Sequence, residues 1–436
     1  MRMRWFVWIL LVAAGVRIAV LACAWNHGQR VLTPDSATYV QLSHSLAGEL
    51  SFQIDDRPEI NRTPGYPFFL AFSAAWGDSW WRAAAVAQVL LDVLLVHLTF
   101  LLGWMLLDND RAGLIAAAFQ AVSPLAVAAS VRMLSDSVFA FMLTFSFLLV
   151  AYHLRSQRRW ALLAGAVSLA AACYVRPVGI VFAGVVTVVL LLGLRRVTRA
   201  GLFVGIVAAC LAPWVARNVI TADFAGFSSF GGDSAYQFAV PELIAVNEGE
   251  NPSEVRDELK GLDIRQNAAR SPGEGARFRF RYALEAIGEH PWRYAGIHLK
   301  EGLGFFLPGS TDVLEVCGVT TGSRGTLDVL HKEGLLAAWR HYFADNVQAM
   351  VFAACTIGIL ALQYLGVVLC LVRRIGRSVP AEAWLLGLIV LTAALLPGPS
   401  GLPRYRIPVE PLLGVAAAAG LTRKRRTELT PRPCPG

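Results

Sequence analysis

The sequence predicts an all-α polytopic membrane protein of about ten transmembrane helices, with further helices lying along the outer membrane surface. Three observations predict it. Of 436 residues, 56% are hydrophobic and 16% charged, and mean hydropathy is +0.52, too apolar for an ordinary soluble domain. Apolar runs long enough to cross a hydrocarbon core of roughly 30 Å recur along the chain. Basic residues cluster in the short links between those runs. The formal charge of +8 is therefore an orientation signal, not a nucleic-acid footprint, and no nucleic-acid partner is expected.

The first span, 5–25, is interrupted by Arg17 and is too long for a signal-peptide core, so it reads as an uncleaved signal anchor. A polar loop, 26–81, follows. In it Pro34 marks a helix entry, and Tyr39, Leu42 and Leu46 share one face of a short helix. Arg62-Thr63-Pro64-Gly65-Tyr66-Pro67 cannot be helical throughout and leads into the apolar run 68–76. Spans are then expected at 82–107, 113–130, 134–154, 160–175, 177–194 and 200–219. The apolar runs 113–154 and 160–194 are each too long for one span. Charges at Arg132–Asp136 and the Arg176-Pro177 step mark a hairpin in each. The segment 220–346 is too large for a passive loop, and its aromatic and basic stretch 276–307 reads as interfacial helices broken at Pro291. Spans at 347–372, 381–397 and 404–421 complete the set.

Orientation supports this division. Arg155, Arg158 and Arg159 share a link, as do Arg195, Arg196 and Arg199, and Arg373, Arg374 and Arg377. With ten spans these links, the tail and both termini fall on one side, the cytoplasm by the positive-inside rule. The chain divides into a transmembrane module at 1–219 with its first outer loop at 26–81, a large outer loop at 220–346, transmembrane helices at 347–421 and a basic cytoplasmic tail at 422–436. Arg17 and Asp92 both fall near mid-membrane, about 12 and 15 Å below the outer ends of their spans. An unpaired charge there costs at least about 2.5–3.5 kcal/mol, so the two are expected to face each other as a structural ion pair.

Six stretches, in order, carry a resemblance: PDSATYVQLSHSL, RTPGYPFFLAF, MLSDSVFAFML, YVRPVGIVF, APWVARNVI and RYRIPVEPLL. Together they resemble the GT-C membrane glycosyltransferases, in particular the family 39-like branch related to protein O-mannosyltransferases and aminoarabinose transferases. The resemblance implies a glycosyltransferase of the plasma membrane. It would move one sugar, hexosyl or pentosyl, from a polyprenyl-phosphate donor to a lipid, glycan or protein acceptor on the periplasmic or extracellular face.

Such a transfer needs a base for the acceptor hydroxyl and positive charge on the phosphate leaving group. Asp35 is the candidate base; its alternative is a solvated helix-start aspartate. Asp136 holds the acceptor, orients a metal, completes an acid pair or merely caps the span that starts at Ser137. Asp55, Asp56 and Glu59 read as solvated surface. Arg176 is the first candidate for the donor phosphate, because a planar guanidinium grips phosphate oxygens in pairs. Arg62, Arg217 and Arg404 are the second rank, with interfacial anchoring as the alternative for all four. No pair among the seven cysteines has metal-ligand spacing. His290, His298 and Glu301 lack a tight ligand pattern, so a divalent metal stays open and no cofactor is named. A glycan polymerase or ligase of the cell envelope is the alternative reading. A transporter is disfavoured, because the unusual charges gather at one surface and not at mid-membrane in both halves.

Overall fold

In the computed structural model the described residues are 2–194, 197–267, 270–319, 322, 326–375 and 379–422. The tail beyond Thr422, and Arg195, Arg196 and Arg377 of the orientation links, lie outside them. α1 (Arg2–Ala24) precedes the loop helix α2 (Pro34–Glu49). A small antiparallel pair follows, β1 (Gln53–Ile54) with β2 (Arg57–Pro58), turning through Asp55 and Asp56 at positive φ. No other strand occurs among the described residues, so the all-α class holds. α3 (Gly65–Ala71) re-enters the apolar body, and α4 (Trp80–Leu107) crosses it.

α1 and α4 carry Arg17 and Asp92, both fully buried. Arg17 Nε donates to Asp92 Oδ2 at 2.5 Å, and Nη1 donates to the Ala13 and Ala121 carbonyls. The next apolar run is not one straight helix. α5 (Asp110–Val122) and α6 (Pro124–Val131) meet at 55°. Pro124 has no N–H and forces Ser123 out of the helical region, so the expected single span 113–130 is corrected to a bent pair. The Ser123 hydroxyl then caps α6 by accepting from the Ala126 N–H.

α7 (Asp136–Ser156), α8 (Arg159–Val175), α9 (Gly179–Leu194) and α10 (Val197–Ala222) match the expected spans closely. In the 220–346 segment, α11 (Phe230–Ser234) runs into the turn Ala235–Ala239, which shares a small core around Tyr236, Val240 and Leu259 with α12 (Val240–Glu248), α13 (Pro252–Asn267) and α14 (Pro272–Glu289). α15 (Pro291–Gly302) buries no residue, and Trp292 is 87% exposed. α16 (Thr311–Val316), α17 (Thr326–Glu333) and α18 (Leu335–Tyr342) complete the segment.

α19 (Val347–Arg374) and α20 (Ala381–Leu395) follow. The last expected span, 404–421, is also corrected. Residues Pro403–Val409 form a 3₁₀ turn, and only α21 (Glu410–Leu421) is α-helical. Its 12 residues rise about 18 Å, too little to cross a bilayer. Pro403, Pro408 and Pro411 remove three backbone donors in nine residues and hold the tighter turn. Among the described residues, five helices are long and apolar enough to cross a membrane, or six with the bent pair as one span. α8, α20 and the described part of α9 are apolar but shorter.

Candidate active site

The site is assembled where α2, the 59–66 stretch, the start of α7, the end of α8 and the 403–409 turn converge. Thr33 precedes α2, and its N–H donates to Ser36 Oγ at 2.9 Å. The Ser36 hydroxyl donates to the Met133 carbonyl at 2.8 Å, fastening α2 to the link between α6 and α7. Tyr39 is buried one turn later, its hydroxyl 3.3 Å from Ser135 Oγ. These bonds fix Asp35 in the first turn of α2.

Asp35 is shared by two arginines. Oδ1 accepts from Arg62 Nη2 at 2.9 Å, and Oδ2 accepts from Arg404 Nη2 at 2.8 Å. Glu59 sets the first arginine: its Oε1 accepts from the backbone N–H groups of Asn61 at 2.5 Å and Arg62 at 2.9 Å. The solvated reading of Glu59 is therefore corrected, because the carboxylate organises the turn ahead of α3. The Arg62 guanidinium lies over the Tyr39 ring, 5.0 Å from its centroid. The second arginine is braced from two residues away. Arg406 is 1% exposed; its Nε donates to Glu410 Oε1 at 2.6 Å, and Nη1 donates to the Phe305 and Leu307 carbonyls, both at 2.7 Å.

Asp136 opens α7 and Arg176 caps α8, so the hairpin brings them together. Arg176 Nη1 donates to Asp136 Oδ1, while the buried Asp136 Oδ2 has no partner. Gly65 lets α3 approach this end of α8. A side-chain carbon there would lie 2.6 Å from the Tyr174 backbone. Tyr66 donates to Gln88 Oε1 at 2.6 Å, and Gln88 Nε2 donates to the Arg132 carbonyl at 2.8 Å. The Arg132 guanidinium pairs with Asp312 at 2.7 Å and Glu315 at 2.6 Å, both on α16.

The electrostatics follow from this crowding. Burial pushes the Asp35 carboxyl up, but Arg404 and Arg62 together outweigh it and hold the group below the usual carboxylate range. Burial lowers Arg404, yet Asp136 and Asp35 more than offset it and drive its pKa up. Arg404 thus experiences both carboxylates.

Two cavities flank the cluster. One of about 510 Å³ is lined mainly by apolar groups, with Arg62, Arg176, Tyr39 and Tyr405 on its wall. The other, about 500 Å³, is the more polar of the two and carries the charged side chains of Arg30, Arg132, Asp312, Glu315 and Arg404. Asp35 links an arginine of each. Neither Asp35 nor Asp136 lines the cavities; their arginine partners do.

Arg217 lines neither cavity. It donates to the carbonyls of Phe52 at 2.5 Å and Glu59 at 2.7 Å, and it lies over Trp214. That placement makes it a brace for the β1–β2 loop. His298 lines the apolar cavity, and its Nε2 is 2.6 Å from the Leu395 carbonyl. Among the described residues no group of three or more His, Cys, Asp or Glu side chains is gathered as a metal site.

Sequence reasoning missed Arg132, Asp312, Glu315 and the Arg406–Glu410 pair. The last had a signal, opposite charges four residues apart ahead of an apolar run. Arg132 had none, since its partners lie about 180 residues away.

The model of the dolichyl-phosphate-mannose-protein mannosyltransferase family matches residues 57–216, which hold Arg62, Asp136 and Arg176. No curated protein matches. Among solved structures, the apo oligosaccharyltransferase of Archaeoglobus fulgidus aligns over 95% of this chain, at TM-score 0.51 and 15% identity. The chain has the fold of the GT-C membrane glycosyltransferases. Its long apolar helices make it an integral membrane protein, and it spans only 50% of the oligosaccharyltransferase. ArnT from Cupriavidus metallidurans in the apo state aligns at 16% identity and TM-score 0.43, over 96% of this chain and 78% of its own. ArnT bound to undecaprenyl phosphate aligns at 15% identity and TM-score 0.45, over 95% of this chain and 60% of its own.

Proposed function

We propose that this GT-C protein is a glycosyltransferase that moves a sugar from a polyprenyl-phosphate donor to an acceptor hydroxyl at the outer face of the plasma membrane. The observation that carries the reading is Asp35 held between Arg62 and Arg404, where an apolar and a polar cavity meet. The apolar cavity suits the first prenyl units and phosphate of the donor. The polar cavity suits the acceptor.

In the reaction the acceptor oxygen attacks the anomeric carbon, and the bond from that carbon to the phosphate oxygen breaks. Asp35 takes the hydroxyl proton, and the departing lipid phosphate carries the negative charge. Arg62, Arg176 and Arg404 are placed to meet that charge. The same arginines restrain the base beforehand, because a carboxylate between two guanidinia is a weak proton acceptor. An arriving phosphate draws Arg62 and Arg404 away and frees Asp35. Asp136 positions Arg176. Arg217 has no part in this scheme.

The test uses purified full-length protein in bilayers, supplied with labelled undecaprenyl-phosphate hexoses and pentoses and with a membrane extract as acceptor. Transfer of a single sugar from one donor, lost in Asp35→Asn, is the expected result. Chain growth on the acceptor would mark a polymerase instead. Label crossing the bilayer still attached to its lipid would mark a transporter.

A further inference from the structure

The cysteines play no part in the proposed transfer. Two of them nevertheless lie together: Cys23 in the last turn of α1, and Cys317 directly after α16. The ends of α1 and α16 pack side by side, and one guanidinium bridges them. Arg30 Nη1 donates to the Cys23 carbonyl at 3.3 Å. The same guanidinium lies against Gly318, where a side-chain carbon would sit 2.6–2.7 Å from its atoms. Gly318 is in the left-handed region, at φ +82°, so the chain turns sharply just past Cys317. The two cysteines thus flank one guanidinium, Cys23 through its own carbonyl and Cys317 through the next residue. Both are free thiols in this structure; Cys23 is exposed and Cys317 half-buried.

We propose that Cys23 and Cys317 are a disulfide site, closed in the mature protein by exchange with an oxidising dithiol protein of the outer compartment. The proposal rests on the outer-face orientation and not on the transferase chemistry. Exposed Cys23 is the first nucleophile. Its thiolate attacks the oxidant's disulfide, giving a mixed disulfide and releasing one oxidant thiolate. The Cys317 thiolate then attacks the Cys23 sulfur, closing the bond and releasing the second. Two electrons pass to the oxidant, and the two protons shed by the thiols balance its two new thiols. Arg30 favours the Cys317 thiolate at the second step. Burial pushes the Cys317 thiol up to about 11, with the Cys23 thiol adding to the rise and Arg30 opposing it, which suits the later, resolving role.

The bond would join α1 to the segment that clamps Arg132. α16 carries Asp312 and Glu315, and Arg132 begins the link that ends at Asp136. The disulfide is therefore a staple from the first span to the polar cavity's wall.

The test is mass spectrometry of the full-length chain, from membranes of cells with an oxidising outer compartment, acid-quenched and alkylated with N-ethylmaleimide before digestion. The expected result is one peptide pair joining Cys23 to Cys317, lost on reduction with the return of two alkylatable thiols. Full alkylation of both cysteines without reductant overturns the proposal, as does either one bonded elsewhere. Reduction should also lower the thermal midpoint of the wild type but not of Cys23→Ser/Cys317→Ser. An equal fall in the double variant counts against the staple. If that variant does not accumulate, the wild-type peptide map decides alone.

Discussion

Asp35 accepts one guanidinium on each oxygen, and this arrangement separates two properties that a simple catalytic base would combine. Asp35→Asn removes the proposed base, and turnover should fall by roughly 10²-fold or more. It also removes the anion that competes with phosphate for Arg62 and Arg404. Binding of undecaprenyl phosphate, measured directly, should therefore tighten in the variant. Weaker binding would show that the arginines do not exchange partners. The same pair makes stability depend on pH. A carboxyl held below its unfolded value near 4 stabilises the fold above that value, and the contribution is lost as pH falls through the folded value. The gap in thermal midpoint between wild type and Asp35→Asn should be full above about pH 5 and shrink below about pH 4. The sequence singled out Asp35 and all three arginines of the cluster. It could not pair them, because Arg404 is 369 residues from Asp35 and nothing local reports such a contact.

At the scale of elements, α1 and α4 are joined by Arg17 and Asp92, each completely buried. Removing one partner strands the other charge, so Arg17→Ala or Asp92→Ala should each destabilise by about 3–5 kcal/mol. The double change should cost less than the sum of the two, read from yield and thermal midpoint. This contact was legible because depth along a helix is simple arithmetic. The bend at Ser123-Pro124 and the 3₁₀ turn at 403–409 were less legible. Hydropathy reports that residues are apolar, whereas proline changes the path of the chain without changing its polarity. The helix ends at Asp136 and Val175 were recovered, because charges at Arg132 and Asp136 interrupt the first apolar run and charge and proline coincide at Arg176-Pro177 in the second.

Over the whole molecule, orientation decides which compartment the two cavities serve. An impermeant thiol reagent added outside should label a cysteine introduced at Glu250 above the wild-type background, and should not label one at Ser156. The reverse pattern would invert the proposed arrangement. The all-helical class and most of the crossing helices were evident from hydropathy, while the packing of the 220–346 segment was not, being written in contacts between distant stretches. One such packing joins α15 to the strand of chain carrying Arg404. Gly304 and Gly401 touch backbone to backbone, and Arg406 is tied to the carbonyls of Phe305 and Leu307 just beyond α15. Around that junction Trp292, Leu299 and Leu303 are left bare. A helix with such a face floats at the depth the lipids dictate. The bilayer's own mechanics would thus reach the proposed reaction centre: as acyl chains shorten or lengthen, α15 should ride lower or higher and carry Arg404 with it. Turnover in vesicles of graded acyl length should pass through an optimum, and enlarging Gly304 to Leu, which wedges the junction apart, should flatten that dependence on thickness.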